Sequence, residues 1–588
     1  MPPSSADSTV GKDLRPVKAL ELNTVHWNNR SQNFLKIHRS GGFRLQTAPQ
    51  QQPLGAWTIS RTMNATPSTW SALRHPQFRG LWRSGSIYFV GNAMQAMAAA
   101  WMMVEQTGSS FLAALVQTAV FLPMFLLALP AGVLADTTDR RRLILVALVV
   151  QAVGGALLAA MVLAGAAGPT SLLFLIFVAG CCTAVLSPAW NSAVGDSVPR
   201  PELAQAITAV AISYNAARAV GPALAGVVFA QLGAGWIFGL AVFSTLAMIH
   251  GIRRHPPHPH PPSRLPAERL WGGILSALRF ARHSEIILAQ LIRTVAYSAT
   301  GSALWALLPI IAQRQLGLGA QGFGLLMGCL GMGAVGAGLM IGRLRAQAGM
   351  DALVGVGCAV FAAVMLIAAF VTVPVVVYVA LVMGGAAWMA VMSTFNIAAQ
   401  TSAPPWVRGR VTAMYTVCAL GSFALGSAFW GALASMAGLA VALCLAAACM
   451  AAGMLLARWF PLRVGNAPQV TQMAPWEELF IANEPNPEAG PVAVEIGYHI
   501  RAEETVAFLD AVTLLRAPRR RDGATFWRIY RDLSDPSRYV ERFIVTSWAD
   551  YLHQRSRATV ADHDQEVLVR AFVLEGKPVT MQHYIAER

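Results

Sequence analysis

Long apolar runs separated by short polar stretches fill most of the chain. A helix needs about 20 consecutive apolar residues to cross a bilayer core. Twelve runs reach that length: 84–104, 111–135, 143–165, 170–190, 204–232 and 234–252, then, after a polar Pro-rich break, 286–312, 320–342, 351–372, 374–398, 409–434 and 437–459. They predict an α-helical membrane protein with twelve transmembrane helices in two sets of six. After about residue 464 the period changes. From Val492 apolar and polar positions alternate as in a strand (VAVEIGYHI). A helix is expected at 503–516, then two strands (TFWRIYRDL and YVERFIVTSW), a helical stretch at 549–572 and a last strand (VTMQHYIAE). That order predicts a soluble ferredoxin-like α+β domain. The resulting division is an N-terminal extension 1–70, a first half 71–252, a central loop 253–285, a second half 286–464, a linker 465–491 and the α+β domain 492–588.

Composition agrees. Of 588 residues, 55% are hydrophobic and 12% charged, whereas soluble domains carry about 25% charged residues. The net charge of +15 raises the question of nucleic acid, but the basic residues form no stripe on one domain. They sit in alternate loops: Arg74, Arg79 and Arg83 before the first run, then Arg140, Arg141 and Arg142, Arg200, Arg253 and Arg254, Arg343 and Arg345, and Arg408. The intervening turns hold only Arg314. This asymmetry predicts that both termini and the central loop are cytoplasmic, in a bacterial inner membrane. Residues 1–70 lack a signal-peptide core, and translation is expected to begin at Met63, leaving the upstream stretch as a tail or a mis-assigned start. The seven cysteines all lie in apolar runs, and none has metal-site spacing. His250, His255, His258 and His260 flank a run of prolines that suits a solvated linker better than a metal site. No metal and no cofactor is expected.

The halves repeat. Residues 191–233 lie on 396–438 with a shift of about 205, pairing Asn191 with Asn396, Pro199 with Pro404, Gly221 with Gly426, Gly226 with Gly431 and Gly233 with Gly438, as parallel transporter halves do.

The stretch GVLADTTDRRRLI, residues 132–144, resembles the cytoplasmic signature of the major facilitator superfamily. The resemblance implies that Gly132 permits close helix approach, that Asp136 latches the outward-facing state, and that Arg140 and Arg141 complete its charge network. Asp139 departs from the pattern, in which many members have Gly, and the second-half counterpart GRLRAQAG from Gly342 lacks the Asp. Residues 188–226 resemble the branch that includes the enterobactin exporter and macrolide efflux proteins. Within them RAVGPALAG resembles the exporters' Gly-Pro motif, which implies a gate shaped by Gly221, Pro222 and Gly226.

Charge at mid-membrane costs roughly 2.5–3.5 kcal/mol on the insertion scale, and the spans hold little of it. Arg218 and Arg293 are expected to face the solute and to suit an anionic group such as a catecholate or carboxylate. Asn92, Gln95, Gln117, Asn215 and Asn396, with Trp305, Trp388 and Trp101, either line a solute cavity or glue helices together. Glu105 and Asp136 are the acids available to carry a proton. No ATP-binding loop is present, so an ion gradient is the expected energy source.

The C-terminal domain resembles small antibiotic-biosynthesis monooxygenases, which implies pairing of two copies through their sheets. It has no residues spaced as a nucleophile or metal site, so no catalytic residue is assigned. Arg519, Arg520 and Arg521 are expected on a solvated turn. The whole predicts a secondary transporter that exports a small amphipathic molecule, a siderophore or drug, by proton antiport. Its partners are solute, protons and bilayer, with no nucleic acid. A metal-ion exporter on the same fold, or a membrane-anchored enzyme acting through the C-terminal domain, are the alternatives.

Overall fold

The computed structural model describes residues 71–254, 278–463, 470–473 and 485–587. The N-terminal extension, most of the central loop with His255, His258 and His260, and parts of the linker lie outside the described residues.

Among the described residues the bundle has twelve long helices, eleven of them apolar enough to span. The first six are α1 (Pro76–Thr107), α2 (Ser110–Thr137), α3 (Arg140–Leu163), α4 (Pro169–Asp196), α5 (Leu203–Leu232) and α6 (Ala234–Arg254). The second six are α7 (Glu285–Ile310), α8 (Ala320–Ala348), α9 (Met350–Phe370), α10 (Pro374–Ser402), α11 (Arg408–Ala437) and α12 (Leu439–Met454). Eleven described helices are long and apolar enough to cross a membrane. The helix missing from that set is α5, because Tyr214, Asn215 and Arg218 cluster in its middle and lower its hydropathy. It nonetheless packs between α1 and α8.

Local sequence sets the helix ends. Pro76, Pro169 and Pro374 occupy the first helical turn, where the missing N–H costs nothing. Ser109 caps α2 by accepting from the Leu112 amide, and Asp139 caps α3 by accepting from the Arg141 and Arg142 amides. The repeat has a structural counterpart. Gly233 and Gly438 end α5 and α11 with φ of 86° and 94°, a region open to glycine and strained for other residues. Gly221 lies against Ala93 of α1, and Gly426 lies against Ala299 and Ser302 of α7. Gly226 lies against Ala320 and Gly324 of α8, and Gly431 against Ala114 of α2. Each matched pair therefore seats the same two kinds of neighbour.

One end of the bundle carries Arg74, the α2–α3 loop, Arg253 and Arg254, Arg343 and Arg345, and Arg408; the opposite end carries Arg314. The two halves meet along α5–α8 and α2–α11, and they meet toward the arginine-poor end. A Cβ on Gly226 would stand 2.8 Å from the Ala320 carbonyl oxygen. The Thr118 hydroxyl donates to the Ala424 carbonyl at 2.9 Å, Arg314 donates to the Gly108 carbonyl at 2.7 Å, and Trp101 stacks on Phe323 at 5.6 Å. Phe125 against Gly421 and Arg218 against Trp305 add contacts between the halves nearer the middle of the helices. The halves are closed at the arginine-poor end.

The C-terminal unit is a four-stranded antiparallel sheet of β1 (Val492–His499), β2 (Phe526–Arg531), β3 (Arg538–Val545) and β4 (Thr580–Ile585), in the order β2-β3-β1-β4. Val494 pairs with Phe543 and His583, which fixes the face that packs on the helices. Those helices are α13 (Thr505–Leu514), α14 (Arg516–Asp522), α15 (Trp548–Arg557) and α16 (Val560–Arg570). The helix expected at 503–516 runs on as two pieces to Asp522, and the stretch expected at 549–572 is broken at Ala558 and Thr559, where Thr559 caps α16. The reading of Arg519 and Arg521 as solvated is corrected. Arg519 pairs with Glu541 at 3.1 Å and Glu566 at 2.8 Å, and Arg521 with Asp522 at 2.7 Å and Asp562 at 2.6 Å. Glu541 is fully buried and also accepts from Tyr498 and Trp527. A carboxylate placed in that core requires a cation beside it.

Candidate functional site

Near the middle of α5 lies a cation. Arg218 is half-buried, and no described carboxylate pairs with it. Its guanidinium instead lies 6.0 Å from the ring centre of Tyr214, one turn earlier on α5, and 5.2 Å from that of Trp305 on α7. Arg218 thus touches both halves, held by the quadrupoles of two rings. Tyr214 and Arg218 are four apart, so they share one face of the helix.

Aromatic rings extend the site in both directions. On the first half Tyr214 meets Phe89 edge-on at 5.4 Å, and Phe89 meets Trp190 at 6.2 Å. On the second half Trp305 meets Trp388 at 6.0 Å and Trp388 meets Phe423 at 5.8 Å; Phe423 returns across the seam to Phe121 of α2 at 5.0 Å. The Trp305 indole N–H is buried without a hydrogen-bond partner. The arrangement offers one positive charge, one spare donor and flat apolar walls. It suits an aromatic solute carrying an anionic or strongly accepting group.

The other expected site residues are distributed as follows. Arg293 does not join Arg218. It is 4% exposed and forms an ion pair with Asp351 at the start of α9, whose carboxylate also accepts from the Leu462 amide at 3.1 Å. The expectation that Arg293 offers its charge to a solute is corrected, because that charge is already neutralised. Beside it, Arg293, Tyr297, Thr300, Cys358 and Phe395 line a narrow crevice within the second half. Asn215 donates to the Ala211 carbonyl of its own helix at 2.8 Å, and Asn396 accepts from Gln400 at 2.6 Å. Gln95 is buried, and Asn92 and Gln117 are half-buried; none of the three is hydrogen-bonded to another described side chain. Trp101 serves the seam between halves rather than the aromatic wall.

At the α2–α3 loop, Gly132 and Asp136 belong to α2 by their backbone, and the Asp136 side chain lies outside what is described. Arg140 pairs with Asp196 at the end of α4 at 3.4 Å, and Arg141 donates to the Arg253 carbonyl at 2.7 Å. These contacts tie α3, α4 and α6 together within the first half. Glu105 is exposed at the arginine-poor end. Gly221, Pro222 and Gly226 form the α5 side of the seams: Gly221 against α1, and Pro222 and Gly226 against α8. Sequence reasoning missed Tyr214, Phe89, Phe121, Phe423 and Asp351. Only Tyr214 carried a usable signal, its four-residue spacing from Arg218.

Comparison with known proteins places this geometry. Residues 67–588 match the family described as transmembrane secretion effector, so the match runs through the C-terminal sheet as well as the bundle. The chain is 28% identical over 401 residues to the multidrug efflux pump Tap of Mycobacterium tuberculosis, covering 64% of this chain and 92% of that one. It is 26% identical over 375 residues to the enterobactin exporter EntS of Citrobacter koseri, covering 62% and 86%. Among solved structures, the nucleoside transporter NupG aligns with a TM-score of 0.56 at 10% identity, over 66% of this chain and all of that one. That level of identity speaks to the fold alone.

Proposed function

The chain belongs to the transmembrane secretion effector family of major facilitator transporters, and on that premise we propose that it exports a small amphipathic molecule, a siderophore or drug with an aromatic anionic part. The observation that carries this reading is Arg218, a half-buried cation with no described counter-charge, bracketed by Tyr214 and Trp305 from opposite halves. The names of its relatives, a multidrug efflux pump and an enterobactin exporter, support the direction of transport and the solute class. In this reading α5 is the twelfth span, and the arginine-rich end faces the cytoplasm with both termini. The contacts at the arginine-poor end are then an outer gate in its closed position. The halves rock about Arg218, with the α5–α8 and α2–α11 seams as closed outer gate.

The exchanged ion is a proton, carried by Glu105 or Asp136, with Asp136 also latching the opposite state. The strand order β2-β3-β1-β4 supports a ferredoxin-like, monooxygenase-like C-terminal domain with a regulatory or pairing role. Proteoliposomes with an imposed pH gradient test the reading. Gradient-dependent movement of aryl carboxylates or catecholates is expected, and Asp136→Asn should abolish it with the protein still inserted. Movement indifferent to the gradient would remove proton antiport, and no movement of any anionic aromatic would remove the solute class.

A further inference from the structure

In the second half, α9 and α12 pack side by side over α7, and the narrow crevice beside Arg293 lies among the three. Its walls are thinned by Gly355 of α9 and Gly453 of α12, where an added Cβ would meet nothing within 4 Å. Val356 and Leu455, close to these glycines in sequence, are exposed apolar residues, so in a bilayer this flank of the bundle faces lipid. The crevice also reaches a group that lacks a partner. Tyr297 is 3% exposed and lines the crevice, and its hydroxyl is buried without a hydrogen bond. A buried hydroxyl left unpaired is unfavourable, and the described residues supply no acceptor for it.

Positive charge flanks the same place. The segment that leaves α12 is bonded to the ion pair at the edge of the crevice: the Phe460 carbonyl accepts from Arg293 at 3.4 Å, and the Leu462 amide donates to Asp351 at 3.1 Å. Asp351 lies one turn before Gly355 on α9. The bonded stretch is bracketed by Arg458 and Trp459 on one side and by Arg463 on the other, all three exposed. Arg458 and Arg463 have no partner among the described residues. An exposed Trp beside arginines at the end of a spanning helix marks the headgroup layer.

We propose that this crevice holds one acyl chain of an anionic phospholipid from the leaflet at the arginine-rich end. The Tyr297 hydroxyl donates to a glycerol-ester carbonyl of that lipid, and Arg458 and Arg463 pair with its phosphate. The bound lipid touches α7, α9 and α12 together and so stabilises the second half. Because the two arginines select the headgroup, a zwitterionic lipid fills the site less well.

Thermal unfolding of the full-length protein in nanodiscs tests this, in phosphatidylcholine alone and with phosphatidylglycerol added. Phosphatidylglycerol should raise the Tm, and Arg458→Gln with Arg463→Gln, both exposed positions, should remove most of that rise. Tyr297→Phe reads the crevice by sign. In an empty crevice it deletes an unsatisfied buried hydroxyl and raises the Tm; with lipid bound it deletes a hydrogen bond and lowers the Tm. A fall is therefore expected in discs that contain phosphatidylglycerol. A phosphatidylglycerol with a photoactivatable diazirine in its acyl chain should label peptides of α9 and α12 above those of other lipid-facing helices, and roughly tenfold less in the arginine double variant. Equal Tm in the two lipids, a rise that the double variant keeps, a raised Tm for Tyr297→Phe in phosphatidylglycerol, or labelling spread evenly over the bundle overturns the proposal.

Discussion

Replacing Arg218 by alanine should separate solutes by charge. The residue makes no described ion pair and is half-buried, so its removal leaves no buried carboxylate behind and should barely change the melting temperature of the bundle. Its loss forfeits the contacts to Tyr214 and Trp305, each worth roughly 0.5–1 kcal/mol at a partly exposed site. For an anionic solute it also forfeits a charge-assisted hydrogen bond, worth about 1.5–3 kcal/mol. At 1.4 kcal/mol per tenfold, apparent affinity for an aryl carboxylate should fall roughly 10- to 150-fold, and that for a matched cationic analogue should fall by less than about fivefold or rise. Arg218→Lys keeps the charge and loses the flat guanidinium, so it should recover part of the anionic transport. The assay is initial-rate transport into everted vesicles as a function of solute concentration, with expression levels matched. Equal losses for anionic and cationic solutes would instead make Arg218 a structural tie between α5 and α7, with no role in choosing solutes by charge.

Three further outcomes are expected. Arg293→Ala strands Asp351, and Asp351→Asn strands the more buried Arg293; each should destabilise the second half, the latter by less than the roughly 3–5 kcal/mol of a fully buried pair because the Asp351 side chain is 41% exposed, read as Tm in detergent, while Arg293→Met with Asp351→Leu recovers much of it. Gly226→Ile places a branched side chain where a Cβ already stands 2.8 Å from the Ala320 carbonyl oxygen. It should cost roughly 1–3 kcal/mol by overpacking and prop the outer seam open, seen as labelling of a cysteine placed beside it from the arginine-poor side; unchanged accessibility contradicts the seam. Burial pushes His553 and His583 below the ordinary imidazole value of 6.5. Their lowered folded values mean that the stability they contribute is present above pH 6.5 and is lost as pH falls below it, because the unfolded chain takes up protons first. The Tm of the C-terminal domain should therefore drop between pH 7 and 5.5, and less so in His553→Gln with His583→Gln.

The bundle was legible in the sequence because one constraint dominates it: a helix that crosses a bilayer needs an uninterrupted apolar length, and its ends are marked by Pro76, Asp139, Gly233 and Gly438. The C-terminal strands were legible from alternation, down to β1 starting at Val492. What was not legible depends on partners far away in the chain. Arg293 reads as a free intramembrane cation until Asp351 is found beside it, 58 residues on. Arg519 to Arg521 read as a solvated run because Glu541, Asp562 and Glu566 lie on other elements. The aromatic wall was half legible. Trp305 and Trp388 are conspicuous, whereas Phe89, Phe121 and Phe423 look like any other apolar residue until the halves are assembled. In α5 the polar residues that lower its hydropathy, Tyr214 and Arg218, are those that build the candidate site.

The central claim, gradient-driven export of an amphipathic aromatic anion, is met most directly by solute accumulation in intact cells with and without the protein, each with and without a protonophore. The account predicts lower accumulation of catecholates or aryl carboxylates in cells that carry the protein, restored by the protonophore and also by Arg218→Ala. Equal accumulation in all four conditions across the panel, or a difference that the protonophore leaves untouched, would contradict it.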